Sequence, residues 1–316
     1  MSTDSLKVLI VAGGLTHERD VSVRSGRRVA NSLINQGFDA KVVDFDQNLP
    51  AEISAFGPDV VWPLVHGSLG EDGSLQSLLE GVGVPYVGST PAQAMLASNK
   101  PTAKALVGAA GLDTPGWIAL PQLLFRQLGA HNVLGMINSS LTFPLVVKPS
   151  SGGSALGMSR AQDSSDLRSA MVDAFSYEEH VMLERFVEGR DIAVSVVDLE
   201  EGPIALPPVE VSTDDGHYDY EARYTTDESE YFVPARLSND EMTDVQAAAI
   251  QIHELLGLRD LSRIDFIVDD NSSFWFIDAN VSPGMTDTSL FPQAAEATGS
   301  FDEICAAIVR YVASRD

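Results

Sequence analysis

The run KVLIVA at residues 7–12 is apolar without alternation and ends in Gly13-Gly14, the pattern of a short strand covered on both faces. Such a strand belongs inside a parallel sheet, because crossover helices then lie over both faces. The next residues supply the first crossover. Val21, Ser25, Val29 and Leu33 recur at helical spacing up to Gly37, a C-terminal stop. AKVVDF and DVVWPLVHG read as further strands, a helix covers 75–80, and VPYVGS adds another apolar piece. The first part of the chain is therefore expected to be an open parallel sheet with helices on both faces.

From about Asn99 the texture becomes α+β. A helix is expected over 100–110, closed at Gly111, and the strand FPLVVKPS runs into the glycine-rich SSGGSALGM. VMLERFV and DIAVSVV read as strands about the turn EGR. The polar stretch DDGHYDYEARYTTDESE precedes a helix over 240–256, the strands RIDFIV and FWFIDAN, and a last helix over 301–313.

A length of 316 residues suits two or three lobes with clefts between them. The net charge of -25 disfavours nucleic acid and anionic membranes as partners, so anionic ligands must be held by local groups. The start, MSTDSLKVLIVAGG, has neither a membrane-length apolar run nor a signal-peptide core, and the expectation is a cytoplasmic protein. The lone cysteine, Cys305, lies among Ile304, Ala306, Ala307 and Ile308 and reads as a small core residue.

The sharpest chemical signal is Asp265, Asp278 and Asn280. If RIDFIV and FWFIDAN close as a hairpin, Asp265 lies opposite Asp278, and Asn280 leaves the same face two residues on. Opposed carboxylates repel unless a cation lies between them, and an all-oxygen set suits magnesium or manganese. The competing reading is a solvated acidic hairpin; burial within apolar strands favours metal. Lys148, one proline before the small residues of SSGGSALGM, gives a phosphate loop in style, although a glycine-rich loop alone is weak evidence. Arg263 projects from the same strand face as Asp265, either toward an oxyanion or carboxylate or in a salt bridge to Asp265 or Asp278, and Gly284 offers a backbone N–H in a tight loop. Glu18, where a strand turns into a helix, is either a ligand group or a helix N-terminal charge. His66 and Glu71 carry the same ambiguity at the C-terminal end of a strand, where open α/β sheets bind ligands.

Taken in order, GGLTHERDVS, HGSLGEDG, VVKPSSGGSALGM, YDYEARY, SRIDF and DANVSPGMTDTSL resemble the D-alanine:D-alanine ligases of the ATP-grasp superfamily, from about Lys7 to Ala313. The resemblance implies a three-lobed ATP-grasp fold, mixed α/β and α+β. Its lobes would be an N-terminal open-sheet substrate domain over 1–94, a central lobe over 95–183, and a C-terminal lobe over 184–316 carrying the metal and oxyanion site. It implies ATP-dependent joining of two D-alanines through an acyl-phosphate, for peptidoglycan precursors, with ATP and Mg2+ or Mn2+. The sister activity would use D-lactate, D-serine or another amino acid as second substrate.

It further implies ATP contacts from Lys100 and Lys148, and adenine and ribose contacts around Glu184, Arg185, Phe186, Val187 and Asp191. Magnesium would rest on Asp265, Asp278 and Asn280, and Glu18 would hold the first ammonium group with His66 and Glu71 in the substrate site. Ser154 and Tyr224 would join Glu18 in a hydrogen-bonded closure, Arg263 and the Gly284 N–H would form the oxyanion site, and Ser289 and Leu290 would take the second carboxylate. Because water would hydrolyse an acyl-phosphate, the polar segment 214–230 is expected to close as a lid, and a homodimer is expected by the same analogy. The chain departs from the family pattern at Arg223, where a lysine usually reaches the γ-phosphate, and at Asp278 and Asp191, each in place of a glutamate. Gly152, Ala155 and Asn99 also differ; these changes bear on rate and second-substrate choice more than on reaction type.

Overall fold

The computed structural model describes residues 5–153, 155–213 and 229–315, arranged around three sheets. The first sheet holds β1 (Lys7–Ala12), β2 (Asp39–Asp44) and β3 (Val60–Pro63), parallel in the order β2-β1-β3. β1 is central, as its unbroken apolar run requires: Val8 and Ile10 face one core, Leu9 and Val11 another. α1 (Arg19–Asn35) covers the first face. On the other face lie α2 (Leu49–Phe56) and, beyond the single-turn α3 (Ser68–Glu71), α4 (Ser74–Val82). VPYVGS contributes an isolated parallel bridge between Val61 and Tyr86 rather than a full strand.

Two helices follow, α5 (Pro91–Ser98) and α6 (Lys100–Ala109). The second sheet is antiparallel in the order β4-β7-β5-β6 and contains β4 (Trp117–Pro121), β5 (Leu145–Pro149), β6 (Ser159–Ala161) and β7 (His180–Arg185). After the short α7 (Gln122–Leu128), helices α8 (Ala130–Ser140) and α9 (Ser164–Tyr177) cover it.

The third sheet joins β8 (Arg190–Leu199), β9 (Gly202–Ala205), β10 (Val209–Thr213), β11 (Ser229–Phe232), β12 (Leu261–Val268) and β13 (Phe274–Asn280). Its order is β11-β10-β8-β12-β13, with β9 also on β8, and each pairing is antiparallel. β8 serves two cores by its twofold alternation. Ile192, Val194 and Val196 face α10 (Asn239–Leu255), α5 and α6; Ala193 and Val197 face α11 (Leu290–Thr298), α12 (Phe301–Ser314) and the first sheet. Thus α5 and α6 pack on the third sheet although they precede the second in the chain. Cys305 is buried in α12, and burial pushes its thiol up to about 12, so it is a packing residue. Of the stretch expected as a lid, 214–228 lies outside the described residues. Among the described residues, no helix is long and apolar enough to cross a membrane.

Candidate active site

β12 and β13 place Asp265 opposite Asp278 and Arg263 opposite Asn280. A one-residue bulge produces that opposition. Val268 pairs with Phe274 and Phe266 with Phe276, after which Ile277 is extra and Asp278 takes the place across from Asp265. Each carboxylate meets a cation. Arg263 grips Asp265 through Nε to Oδ1 and Nη2 to Oδ2, both at 2.7 Å, so the salt-bridge reading of Arg263 is the one this structure contains. The Lys100 ammonium lies 3.0 Å from Asp278, and Asn280 Oδ1 accepts the Ser282 N–H at 2.9 Å. Among the described residues no three or more His, Cys, Asp or Glu side chains gather for an ion. A divalent ion here would rest on two carboxylates and one amide oxygen, an all-oxygen set suited to magnesium, which also draws on phosphate and water.

The same cleft, about 790 Å3 including its open mouth, is lined by Lys100, Lys148, Gly152, Gly153, Asp191, Arg263, Asp265, Asp278, Asn280 and Leu290. Lys100 begins α6, and its backbone N–H donates to the Ser150 carbonyl at 2.9 Å while its ammonium donates to the Gly152 carbonyl at 2.6 Å. The phosphate-style loop is thereby fastened to the acidic hairpin. Lys148 is buried and donates to Glu184 Oε2 at 2.7 Å. Glu184 also pairs with the fully buried Lys104. Burial works to raise Glu184, yet Lys148 and Lys104 together hold it below the ordinary carboxylate range, and burial draws Lys104 down to about 8.

This differs from the expected adenine and ribose group. Lys148 stands opposite Met182 in register, so Glu184, two residues on, shares its face and turns its carboxylate inward to the lysines. β7 ends at Arg185, and Arg185, Phe186 and Val187 line a separate shallow depression with Asp269, Asn271 and Trp275. The Arg185 guanidinium lies 5.0 Å from the Trp275 ring centre and that of Arg160 lies 3.7 Å from Phe186. Asp191 alone of that group lines the main cleft.

The first sheet brings its carboxylates to the phosphate-style loop. Gly13 and Gly14 end β1 with φ of +89° and +85°, a turn that suits glycine, and Glu18 follows at the start of α1. The buried Glu18 side chain makes no cap hydrogen bond. A Cβ on Gly67 would lie 2.8 Å from its Oε2, and one on Gly153 would lie 3.4 Å from its Oε1 and 3.7 Å from Glu71 Oε2. Glu71 accepts the Gly67 N–H at 3.1 Å, and burial, with Glu18 adding, pushes it up to about 8. His66 is drawn down to about 4 by burial and is neutral at pH 7; its Nε2 lies 3.2 Å from Ser25 Oγ.

Ser25 Oγ also accepts the Met285 N–H at 3.0 Å, which ties α1 to the loop that holds Gly284. There a Cβ on Gly284 would meet Ser289 Oγ at 2.7 Å, so the two expected substrate groups are neighbours, and Leu290 stands in the cleft wall. Ser154, Arg223 and Tyr224 lie outside the described residues. Lys104 and Ser25 were missed by sequence reasoning. For Lys104 the available signal was its position four residues after Lys100, on one face of a helix; for Ser25 there was none beyond a polar residue on an apolar stripe.

Comparison with known proteins fits this arrangement. The family profile described as D-ala D-ala ligase C-terminus matches residues 106–310, and the one described as D-ala D-ala ligase N-terminus matches 47–89. A protein named D-alanine–D-alanine ligase from Bordetella petrii is 37% identical over 98% of this chain and 93% of its own length. The crystal structure of D-alanine–D-alanine ligase from Bacillus anthracis is similar with a TM-score of 0.83 and 26% identity, over 98% of this chain and 97% of that one. The D-Ala:D-Ser ligase VanG from Enterococcus faecalis has the same TM-score of 0.83 at 24% identity, over 98% of this chain and 100% of that one, so the backbone fold does not separate second substrates. With both profiles matched and a relative more than a third identical along nearly its whole length, the chain belongs to the D-alanine–D-alanine ligase family.

Proposed function

We propose that this protein joins two D-alanine molecules into D-alanyl-D-alanine, using ATP and releasing ADP and phosphate, for peptidoglycan precursors. The observation that carries the reading is one cleft in which Lys100 and Lys148, the carboxylates Asp265 and Asp278, and Arg263 meet, with Glu18 and Glu71 at the glycine-rich loop beside it. Condensing two amino acids in water needs an activated carboxyl. Glu18 and Glu71 hold the first ammonium group, which leaves the carboxylate free to attack the γ-phosphorus of ATP. The products are an acyl-phosphate and ADP. Lys148 and Lys100 steady the phosphate oxygens as charge moves across them.

Magnesium or manganese, held by Asp265, Asp278 and Asn280, supplies charge neutralisation at phosphoryl oxygens when bound. The neutral amine of the second D-alanine then attacks the acyl carbon. Arg263 and the Gly284 N–H stabilise the tetrahedral oxyanion, a role worth about 3 to 4 kcal/mol per donor, and phosphate departs. Ser289 and Leu290 receive the second carboxylate. Ser154 and Tyr224 close the site with Glu18, which keeps water from the acyl-phosphate, and Arg223 reaches the transferred phosphate. The adenosine part runs from Asp191 in the main cleft toward the neighbouring depression of Arg185, Phe186 and Val187, with Glu184 beneath it. The protein acts in the cytoplasm, as a homodimer.

The test is ATP turnover with D-alanine, L-alanine, D-serine and D-lactate, with products identified by mass. The expected result is ADP, phosphate and the D-alanine dipeptide. Preferential formation of a mixed product with D-serine or D-lactate would move the assignment to a sister ligase. No ADP with any of the four would overturn it.

A further inference from the structure

α6 presents two lysines one helical turn apart, and they reach different things. Lys100 lines the cleft, but Lys104 is fully buried behind it and is absent from the cleft wall. Its ammonium pairs with Glu184 on β7 and donates to the Phe276 carbonyl on β13 at 2.8 Å, two residues before Asp278. Thr114 Oγ1 shares that carbonyl at 2.9 Å. Glu184 in turn accepts from Lys148, the lysine that does line the cleft. One buried side chain thus joins the strand pair carrying the phosphate lysine to the strand carrying the acidic residues.

Charge counting sets its role. Two lysines share one carboxylate, so the buried group carries a net single positive charge, and the member open to the cleft is Lys148. Were Lys104 apolar, Glu184 would neutralise Lys148 alone, and the group would offer a phosphate no net charge. We propose that Lys104 is a positioning residue for the nucleotide polyphosphate: by occupying Glu184 it leaves the charge of Lys148 available to phosphate, and by holding the Phe276 carbonyl it fixes the spacing between the phosphate-binding and acidic strands. This rests on the reading of the cleft as the ATP site. Nothing in it requires Lys104 to touch nucleotide.

The experiment compares wild-type full-length protein with Lys104→Met, Lys104→Gln, Glu184→Gln and the double variant Lys104→Met/Glu184→Gln. ADP affinity with magnesium is measured by calorimetry without turnover, beside KM for ATP, KM for D-alanine and melting temperature. Lys104→Met and Lys104→Gln are each expected to weaken ADP and raise KM for ATP about tenfold, with KM for D-alanine within about twofold. The double variant restores a net positive charge on Lys148 and is expected to recover most of the ADP affinity. If Lys104→Met does not fold, Lys104→Gln, which keeps a donor for the Phe276 carbonyl and leaves Glu184 paired with Lys148, is compared with the double variant in its place. Unchanged ADP affinity in the folded Lys104 variants, or an equal loss in the single and double variants, would overturn the proposal. ADP affinity is read without D-alanine, so a wild-type protein that binds ADP and makes no dipeptide would sink the proposed reaction while still allowing Lys104 to be judged.

Discussion

Glu71 is buried beside Glu18 at the glycine-rich loop and is held up to about 8. Its ordinary value is 4.5, so the folded protein binds a proton that the unfolded chain has released between those two values. Stability therefore falls as pH rises through that window, and below it the effect vanishes. Glu71→Gln keeps an acceptor for the Gly67 N–H and removes the titration. The variant is expected to match wild type near pH 4.5 and to exceed it by a few kcal/mol at pH 8, read from denaturant unfolding across the range, while its turnover with D-alanine falls. Parallel pH slopes for the two proteins would refute this. At the same scale, the acidic residues were legible because their spacing in two apolar runs is local. The bulge at Ile277 that sets them opposite was not, since a smooth continuation of the Phe266–Phe276 register would put Ile277 across from Asp265. Lys104 and Ser25 were hidden for a different reason: their partners Phe276 and Met285 lie 172 and 260 residues away, and burial decides their role.

α6 shows how an element places such residues. Asn99 caps it, with the side chain accepting from Thr102 N at 3.0 Å and Thr102 Oγ1 at 2.7 Å, and Pro101 fits the first turn. The cap fixes where the helix starts and hence where Lys100 points. Asn99→Ala is expected to cost about 1 kcal/mol of stability in denaturant unfolding and to raise KM for ATP more than KM for D-alanine, whereas Asn99→Asp keeps the cap and wild-type stability. An Asn99→Ala protein as stable as wild type would show that Thr102 finds another partner. Elements with a strong internal pattern were readable from sequence: β1, β13, α6 and α10 lie within a residue or two of their expected bounds. Others draw their form from neighbours. β4, WIALP, is half-buried throughout, ends in proline, and owes its strand pairing to β7 some distance along the chain. α2 and α5 each have only eight residues, with a proline in the first turn, too short for periodicity to declare them.

Among the described residues, two of the three sheets share a core and the other does not. Val8, Ile10, Val60 and Trp62 of the first sheet pack in one cluster with Val209, Leu261 and the helices α11 and α12 of the third. The apolar cluster on the second sheet is drawn from residues 120–183 alone. What fastens the second sheet to the rest near the cleft is mainly polar: the Lys104–Glu184 pair, the two Lys100 bonds to the 150–152 loop, and the Phe276 N–H to the Asp113 carbonyl at 2.8 Å. Polar links between separately packed units open at lower free energy than a shared apolar core. Amides of β5 and β7 are therefore expected to exchange hydrogen through a partial opening, at lower denaturant than those of β1, β8 and β12, which should exchange together. On the proposed assignment ADP with magnesium would bridge Lys148 to the Lys100 and Asp278 side of the cleft, and at a hundredfold excess over its Kd it would add about 2.7 kcal/mol to the closed form. Under those conditions the β5 and β7 amides should rise toward the protection of the other two sheets, followed by exchange mass spectrometry along a denaturant series. A single exchange profile for all three sheets without nucleotide would mean that the polar links couple them as tightly as a core does.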